Sequence, residues 1–293
     1  MSDELKRIAD RLEGLLERID RLMPPGAGGP DWKASTAFRW RKHARGGWLE
    51  VVRHPHTIRF SDLKDVDEQK RRLRENTAQF VAERPANNVL LTGARGTGKS
   101  SLVKAALAEF APKGLRLIEV DKRDLVDLPE IVDLVADRRE RFILFCDDLS
   151  FEASDAGYKS LKVALDGSIA GSADNLLIYA TSNRRHLMPE FMDENLEAKH
   201  VGGQIHPGET TEEKISLSER FGLWLSFYPF DQEQYLHIAD HWVERLGGRP
   251  DEESRKAALL WALERGFRSG RVAWQFARDW VGRQKTGSAD KRR

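Results

Sequence analysis

One loop in the sequence has the residue types and spacing that hold a phosphate chain. It spans residues 93–100 and matches G-x-x-x-x-G-K-[ST] at every position. Glycines let backbone N–H groups curl around an anion, and the helix expected from Ser100 would direct its positive N-terminal dipole at the phosphates. We expect Lys99 to reach the β- and γ-phosphates of a nucleoside triphosphate, and the Ser100 hydroxyl to bind magnesium. The alternative, a structural Gly-rich turn, does not require the flanking strand and helix. The expected nucleotide-binding residues are Gly93, Ala94, Arg95, Gly96, Thr97, Gly98, Lys99, Ser100 and Ser101.

Two acidic residues follow an apolar stretch further along the chain. Residues 142–146 are apolar throughout, which predicts a buried strand, and Asp147 and Asp148 come directly after it. A carboxylate delivered beside a phosphate loop can hold magnesium through water, and we assign this role to Asp147. Asp148 can then position or deprotonate an attacking water. Paired aspartates are ordinary at strand ends, so this prediction depends on the loop upstream.

Short apolar runs alternate with helix-forming stretches from about residue 57 onward. The runs that predict strands are 88–92, 115–120, 142–146, 176–181 and 223–227. Strands that are apolar throughout are typical of a parallel sheet covered by helices on both faces. After residue 230 the pattern is helical only, at 235–246, 254–265 and 272–281. We therefore expect an α/β fold of the P-loop NTPase type, a three-layer αβα sandwich with a mainly parallel five-stranded sheet, followed by a small all-helical C-terminal lid.

The first residues differ in character from the rest of the chain. Apolar residues recur at alternating spacings of three and four, which predicts an amphipathic, coiled-coil-like helix: Leu5, Ile8, Leu12, Leu15, Ile19 and Leu22. Such a helix cannot bury its apolar stripe alone, so it either docks on its own domain or oligomerises. The pattern leaves both open.

Composition divides the chain into successive segments. We predict an amphipathic helix at 1–23, a Pro/Gly linker at 24–31, a basic and aromatic segment at 32–56, a nucleotide-binding α/β domain at 57–229, a helical lid at 230–283 and a disordered tail at 284–293.

Basic and aromatic side chains are interleaved in residues 31–56. The members are Trp32, Phe38, Arg39, Trp40, Arg41, Lys42, Arg45 and Trp48. Such residues can stack on bases and neutralise phosphates of a nucleic acid. They can equally pack the aromatic rings against a core while the guanidinium groups stay in solvent, which is the more common outcome.

Charge and cysteine content exclude several classes of protein. Across 293 residues, 48 basic and 47 acidic side chains nearly cancel, so no global field draws the chain to nucleic acid or anionic lipid. The single cysteine, Cys146, forms no internal disulfide and no Cys-rich zinc site. No run of about 18 apolar residues predicts a membrane span, and the mixed charges after Met1 do not predict a signal peptide. We expect a cytoplasmic protein without a membrane partner.

Taken in order, these motifs resemble those of the AAA+ ATPases. Residues 93–100, 142–148 and 180–184 are similar to their Walker A, Walker B and sensor 1 motifs, residues 218–222 to the segment with their arginine finger, and residues 269–271 to their sensor 2. Residues 58–67 are similar to the leading segment that packs near the adenine. More narrowly, residues 87–91, 142–152 and 205–209 resemble an uncharacterised bacterial family of predicted AAA+-type ATP-binding proteins.

The resemblance implies roles for further residues. Asn183 would orient the attacking water together with the Walker B carboxylate. Arg220 would reach the γ-phosphate of a neighbouring subunit, which implies a homo-oligomer, and Arg271 would contact the nucleotide from the lid. A fixed guanidinium neutralises charge that develops on the transferred phosphoryl group. The implied cofactors are ATP and Mg²⁺, and the implied catalytic residues are Asp148, Asn183, Arg220 and Arg271.

One residue departs from the AAA+ pattern. The usual Walker B motif ends in Asp-Glu, whereas this one ends in Asp147 and Asp148, whose carboxylate is one methylene shorter. We therefore expect binding of ATP with more certainty than fast hydrolysis. The leading hypothesis is an ATPase that couples the nucleotide state to conformational change on a macromolecular partner. The alternatives are a slow or non-hydrolysing nucleotide-dependent binding module and a small-molecule P-loop kinase, against which the helical lid argues.

Overall fold

A seven-stranded sheet forms the centre of the fold. The structure is a computed structural model, and it describes residues 30–43, 46–151, 155–166, 174–183, 199–201, 204–206 and 217–290, together with residue 11. The strands are β1 (Ala37–His43), β2 (Gly46–Val51), β3 (Val89–Gly93), β4 (Leu115–Glu119), β5 (Arg141–Cys146), β6 (Leu176–Ser182), β7 (Lys199–Val201), β8 (Gln204–His206) and β9 (Leu223–Phe227). The sheet order is β2-β1-β4-β5-β6-β3-β9, and β7 pairs separately with β8. The hairpin of β1 and β2 is antiparallel, and the other pairs of the sheet are parallel.

The five strands expected from the sequence are present, but the prediction of a five-stranded sheet is wrong by two strands. The additional strands, β1 and β2, come from the basic and aromatic segment 32–56. Phe38 and Trp40 of β1 are buried, whereas Arg39 between them pairs with Glu119 of β4 on the other face. This alternation is the period of a strand with one apolar face, and it lacks the all-apolar signature of the other strands. Phe38 and Trp40 therefore have a structural role in the core.

Helices cover both faces of the sheet and produce three layers. They are α1 (Asp67–Val81), α2 (Lys99–Phe110), α3 (Leu128–Val135) and α4 (Ala156–Asp166). Successive residues of β5 enter different cores: Ile143 packs in the same cluster as Leu102 of α2, and Leu144 in the same cluster as Ile131 of α3. The predicted αβα sandwich is confirmed.

Three further helices form the lid, as predicted. They are α5 (Gln232–Arg245), α6 (Glu252–Glu264) and α7 (Gly270–Asp290). Asp231 and Asp251 cap the first two, because each carboxylate accepts a backbone N–H of the first turn. Tyr235 of α5 is fully buried, and its hydroxyl donates to the carbonyl oxygen of Ala258 in α6 at 3.0 Å. The buried residues of the lid belong to the same apolar cluster as those of α2, so the lid is anchored to that face of the sheet.

The end of the lid differs from the expectation. Helix α7 continues through Asp290, where composition predicted a disordered tail at 284–293. Residues 284–290 contain no proline, and an established helix gains one hydrogen bond for each residue added. The polarity on which the tail prediction depended does not by itself stop a helix.

The predicted N-terminal amphipathic helix and its linker lie outside the described residues, apart from Arg11 and the residues from Pro30 onward. The expectations for them stay predictions. Within the described part of the chain, no helix combines the length and apolar character needed to cross a membrane.

Candidate nucleotide-binding site

The candidate site lies where three neighbouring strands end. Strands β5, β6 and β3 are adjacent and parallel, with Cys146 level with Ala180 and Ser182 level with Thr92. The carboxyl ends of parallel strands meet at one edge of a sheet, the usual place for ligands in α/β proteins. The glycine loop follows β3, the two aspartates follow β5, and Asn183 follows β6. The topology thus brings together motifs that are far apart in the sequence.

The loop that follows β3 is shaped by its glycines and its contacts. Gly93 has a φ of +120°, and a Cβ there would lie 1.9 Å from the carbonyl oxygen of Phe227 in β9. That same oxygen accepts the N–H of Ala94 at 3.1 Å. Thr97 is buried, and its hydroxyl donates to the carbonyl oxygen of Ala94 at 2.8 Å. Helix α2 begins at Lys99, so the last two residues of the 93–100 segment already belong to the helix, and Ser101 lies in its first turn.

Lys99 is the buried cation of the site. Its Nζ donates to the carbonyl oxygens of Gly93 and Ala94, both at 2.7 Å, and to Oδ1 of Asn183 at 3.0 Å. Burial lowers the pKa of Lys99 to about 8, although the carboxylates of Asp148 and Asp147 oppose the shift. The cost of desolvating this ammonium group would be reduced by an anion bound against it.

A hydroxyl and a carboxylate lie together at the predicted magnesium position. Ser100 Oγ donates to Oδ1 of Asp147 at 2.5 Å. The same Oδ1 accepts a second hydrogen bond, at 2.6 Å, from the hydroxyl of Thr181 in β6. No role for Thr181 was expected from the sequence. The available signal was a hydroxyl residue two positions before Asn183, near the end of a mainly apolar strand.

The second aspartate contacts the predicted sensor residue. Asn183 Nδ2 donates to Oδ1 of Asp148, so the amide of Asn183 joins Asp148 to Lys99. Asp148 has a left-handed backbone, with a φ of +54°, and its hydrogen-bond partners Asn183 and Thr181 both lie at the end of β6. The predicted catalytic pair of Asp148 and Asn183 is therefore in direct contact.

The lid reaches the glycine loop through the first residues of α7. The backbone N–H of Arg271 donates to the carbonyl oxygen of Gly96 at 3.3 Å. Ser269, which is buried, accepts the N–H of Val272 at 3.2 Å and so caps the start of the helix. The side chains of Arg271 and of the exposed Arg95 both contribute to lowering the pKa of Lys99. Positive charge from loop and lid is thus concentrated in one place.

Arg220 lies elsewhere. It pairs with Asp166 at the end of α4, and it comes three residues before β9, whose first residue, Leu223, is level with Val89 at the start of β3. The glycine loop begins at the opposite end of β3, about 13 Å away for four residues of strand. The structure therefore brings together the predicted site residues except Arg220, which lies toward the other edge of the sheet.

The leading segment packs between loop and lid. Leu63 is buried, and its Cδ2 would lie 3.5 Å from a Cβ at Gly98. Two acidic side chains of the segment bind lid helix α5: Asp62 lies 3.1 Å from Nε of Arg245. The second, Asp65, lies 2.9 Å from Nδ1 of His237. This arrangement encloses one side of the glycine loop.

A family model described as "Protein of unknown function (DUF815)" matches residues 33–284 of the chain. The chain belongs to this family. Among curated proteins, proteasome-activating nucleotidase 2 of Haloferax volcanii is 30% identical over 183 residues, which are 50% of this chain and 42% of that protein. The chain therefore spans less than half the length of this relative.

Solved structures resemble the fold across most of the DUF815 chain. A mutant RuvB of Thermotoga maritima has a TM-score of 0.53 at 15% identity and covers 78% of this chain and 67% of its own. The ORC1 protein of Aeropyrum pernix, solved in complex with DNA, has a TM-score of 0.52 at 17% identity, over 79% of this chain and 62% of its own. Together with the relative above, these matches identify the DUF815 chain as a member of the AAA+ P-loop superfamily.

Proposed function

We propose that this chain binds ATP with Mg²⁺ at residues 93–100 and hydrolyses it, and that the lid transmits the state of the nucleotide to a macromolecular partner. The observation that carries the proposal is the convergence on one loop of a buried lysine, a hydroxyl–carboxylate pair and the first turn of a lid helix. The similarity of the chain to proteasome-activating nucleotidase 2 supports a nucleotide as the ligand.

The charge of the loop suits a polyphosphate. Burial lowers the pKa of Lys99, and repulsion by the guanidinium groups of Arg95 and Arg271 adds to this effect. A polyanion relieves both effects, because it neutralises the cluster. The N-terminus of α2 adds backbone N–H groups directed at the same point.

Ser100 and Asp147 would hold the magnesium ion. Hydroxyl and carboxylate oxygens are the ligands that Mg²⁺ prefers, commonly through water, and these two side chains already lie within hydrogen-bond distance of each other. Bound there, the ion would neutralise charge on the β- and γ-phosphates.

Asp148 and Asn183 would act on the water that attacks the γ-phosphate. The carboxylate of Asp148 can accept a proton from that water, and the amide of Asn183 holds the carboxylate in place through its Nδ2. Arg220, on the other edge of the sheet, would serve the site of a second copy of the chain. This arrangement makes the proposed ATPase an oligomer.

A second candidate is a nucleotide-dependent binding module that hydrolyses ATP slowly. The observation in its favour is Asp148 itself, whose short side chain already accepts a hydrogen bond on Oδ1 from Nδ2 of Asn183. A carboxylate engaged in this way has less freedom to reach a water molecule.

Turnover separates the two candidates. Wild-type protein is incubated with ATP and Mg²⁺ across a range of protein concentrations, and released phosphate is measured beside Asp148→Asn and Lys99→Ala. For an ATPase, phosphate release rises with assembly and falls at least about a hundredfold in Asp148→Asn, which keeps ATP binding. If the wild type binds ATP but releases phosphate no faster than Asp148→Asn, the binding-module function replaces the ATPase.

A further inference from the structure

We infer that Thr181 is a positioning residue for the proposed site: its hydroxyl fixes both the Asp147 carboxylate that would meet magnesium and the backbone turn that presents Asp148. The inference rests on the proposed function and deepens it, because it gives a role to Thr181 on the neighbouring strand β6, a residue of the sensor 1-like segment 180–184 for which the sequence alone indicated none.

The Thr181 hydroxyl makes one donor and one acceptor contact. It donates to Oδ1 of Asp147 at 2.6 Å and accepts the backbone N–H of Asp148 at 2.9 Å. A hydroxyl has a single proton, so donation to the carboxylate leaves its lone pairs to accept the N–H. Thr181 is 2% exposed, and water therefore competes little for these bonds.

Its backbone adds a third contact with the same turn. The carbonyl oxygen of Thr181 accepts the N–H of Leu149 at 2.6 Å. The three residues that follow β5 are thus each bonded to Thr181, by side chain or by main chain. A β-branched residue is restricted at χ1, so the hydroxyl is held in one direction by the strand that carries it.

This fixation has a consequence for the magnesium position. Oδ1 of Asp147 accepts hydrogen bonds from Thr181 and from Ser100. Two donors on one oxygen set the rotation of the carboxylate, and Oδ2 would then be the oxygen available to hold magnesium, directly or through water. Residues that orient a metal ligand in this way typically change metal affinity by about 10–100-fold when they are removed.

The contact with Thr181 also affects position 148, where this chain has Asp and the usual Walker B motif has Glu. The φ of Asp148 is +54°, a region that Asp adopts more readily than longer side chains do. The N–H bond to Thr181 holds this turn, and the turn delivers the short carboxylate to Asn183. The aspartate is therefore matched to its backbone, which a glutamate would strain.

The test compares Thr181→Val, which keeps the shape and removes the hydroxyl, with Thr181→Ser, which keeps the hydroxyl. ATP affinity is measured by titration calorimetry at increasing Mg²⁺ concentration and also in excess chelator, and Mn²⁺ binding to the ATP complex is followed by electron paramagnetic resonance. We expect Thr181→Val to raise the Mg²⁺ concentration for half-maximal ATP binding about tenfold or more. Its ATP affinity in excess chelator should stay within about twofold of that of the wild type. Thr181→Ser should stay within about twofold of wild type throughout.

Equal Mg²⁺ requirements in wild type and folded Thr181→Val would overturn the inference while leaving ATP binding intact. If Thr181→Val does not fold, Thr181→Ala takes its place, and a Mg²⁺ requirement within about twofold of wild type in folded Thr181→Ala would overturn the inference. A wild-type chain that binds no ATP with Mg²⁺ would contradict the proposed function and, with it, the role given to Thr181.

Discussion

Lys99 has a charge that depends on pH in the range accessible to experiment. Its pKa is lowered to about 8, chiefly by burial, so the free site loses its ammonium charge as the pH rises through that value. Bound phosphate favours the charged form, and binding above the pKa therefore requires uptake of a proton.

ATP affinity should consequently be level below about pH 8 and weaken above it, approaching tenfold for each pH unit. Calorimetric titrations between pH 7 and pH 9.5, in two buffers with different ionisation enthalpies, measure both the affinity and the proton uptake. Lys99→Arg is the control, because its guanidinium stays charged and its weaker binding should be independent of pH over this range. A pH-independent wild type would show that the lysine is not a phosphate ligand.

The backbone of Asp148 leads to a prediction that runs against the usual Walker B pattern. Because Asp148 has a φ of +54°, Asp148→Glu should lower thermal stability and should not raise ATP turnover above that of the wild type. The left-handed region costs an L-residue about 1–2 kcal/mol, and a short Asp side chain recovers part of this through local hydrogen bonds that Glu forms less readily. Phosphate release and thermal denaturation check this prediction. Faster turnover in Asp148→Glu at unchanged stability would mean that side-chain length, and not the turn, limits hydrolysis.

At the scale of elements, the contact between glycine loop and helix α7 is the link from nucleotide to lid. Gly96 has a φ of +73°, and a Cβ there would lie 2.7 Å from Oγ of Ser269. Gly96→Ala should therefore push the start of α7 off the loop and weaken ATP binding at least about tenfold. Gly266→Ala is a matched control, since Gly266 has a φ of +76° with nothing within 4 Å of its Cβ position.

Both alanine variants carry the same backbone strain, about 1–2 kcal/mol, and should lose similar thermal stability. The difference in ATP affinity between them isolates the lid contact. Equal affinities would indicate that the contact between α7 and the glycine loop does not affect ATP binding.

The strands differ in how well they could be predicted from the sequence. The apolar runs that became β3, β4, β5, β6 and β9 were identified because a strand buried on both faces needs apolar residues throughout. Strand β1 was missed because Arg39 alternates with Phe38 and Trp40, and this pattern also fits a nucleic-acid surface. What distinguishes the two interpretations is a contact with a residue distant in sequence: the carboxylate of Glu119 accepts a hydrogen bond from the Arg39 guanidinium.

The residues of the candidate site likewise differ in whether the sequence predicts them. The glycine loop and Asp147 could be predicted, because their chemistry is local in sequence. Thr181 could not, because its importance arises from the register that sets β6 beside β5. Arg220 was assigned by resemblance, and the sequence alone did not reveal its ion pair with Asp166.

For the whole molecule, the role proposed for Arg220 requires that a second copy of the chain completes the site. Arg220→Ala should reduce ATP turnover per subunit at least about a hundredfold, as expected for a guanidinium that acts on the transition state. Asp166→Asn breaks the same ion pair and should leave turnover within about threefold, which separates catalysis from local structure. Similar losses in both variants would indicate a structural role.

Mixing makes the test specific for action between subunits. Lys99→Ala retains Arg220 but lacks the phosphate ligand, and Arg220→Ala retains the phosphate ligand but lacks the guanidinium. Each should be inactive alone, and the mixture should regain part of the wild-type turnover if Arg220 of one copy serves the loop of another. A mixture that stays inactive while it co-assembles would contradict action in trans.

The most direct test of the account is a calorimetric titration of ATP with Mg²⁺ into wild-type protein and into Lys99→Ala. We predict one ATP bound per chain in the wild type, at a pH below the pKa of Lys99 of about 8, and affinity at least about a hundredfold weaker in Lys99→Ala at unchanged thermal stability. A wild type that binds no ATP, or a folded Lys99→Ala that binds it equally well, would contradict the assignment of residues 93–100 as the nucleotide site.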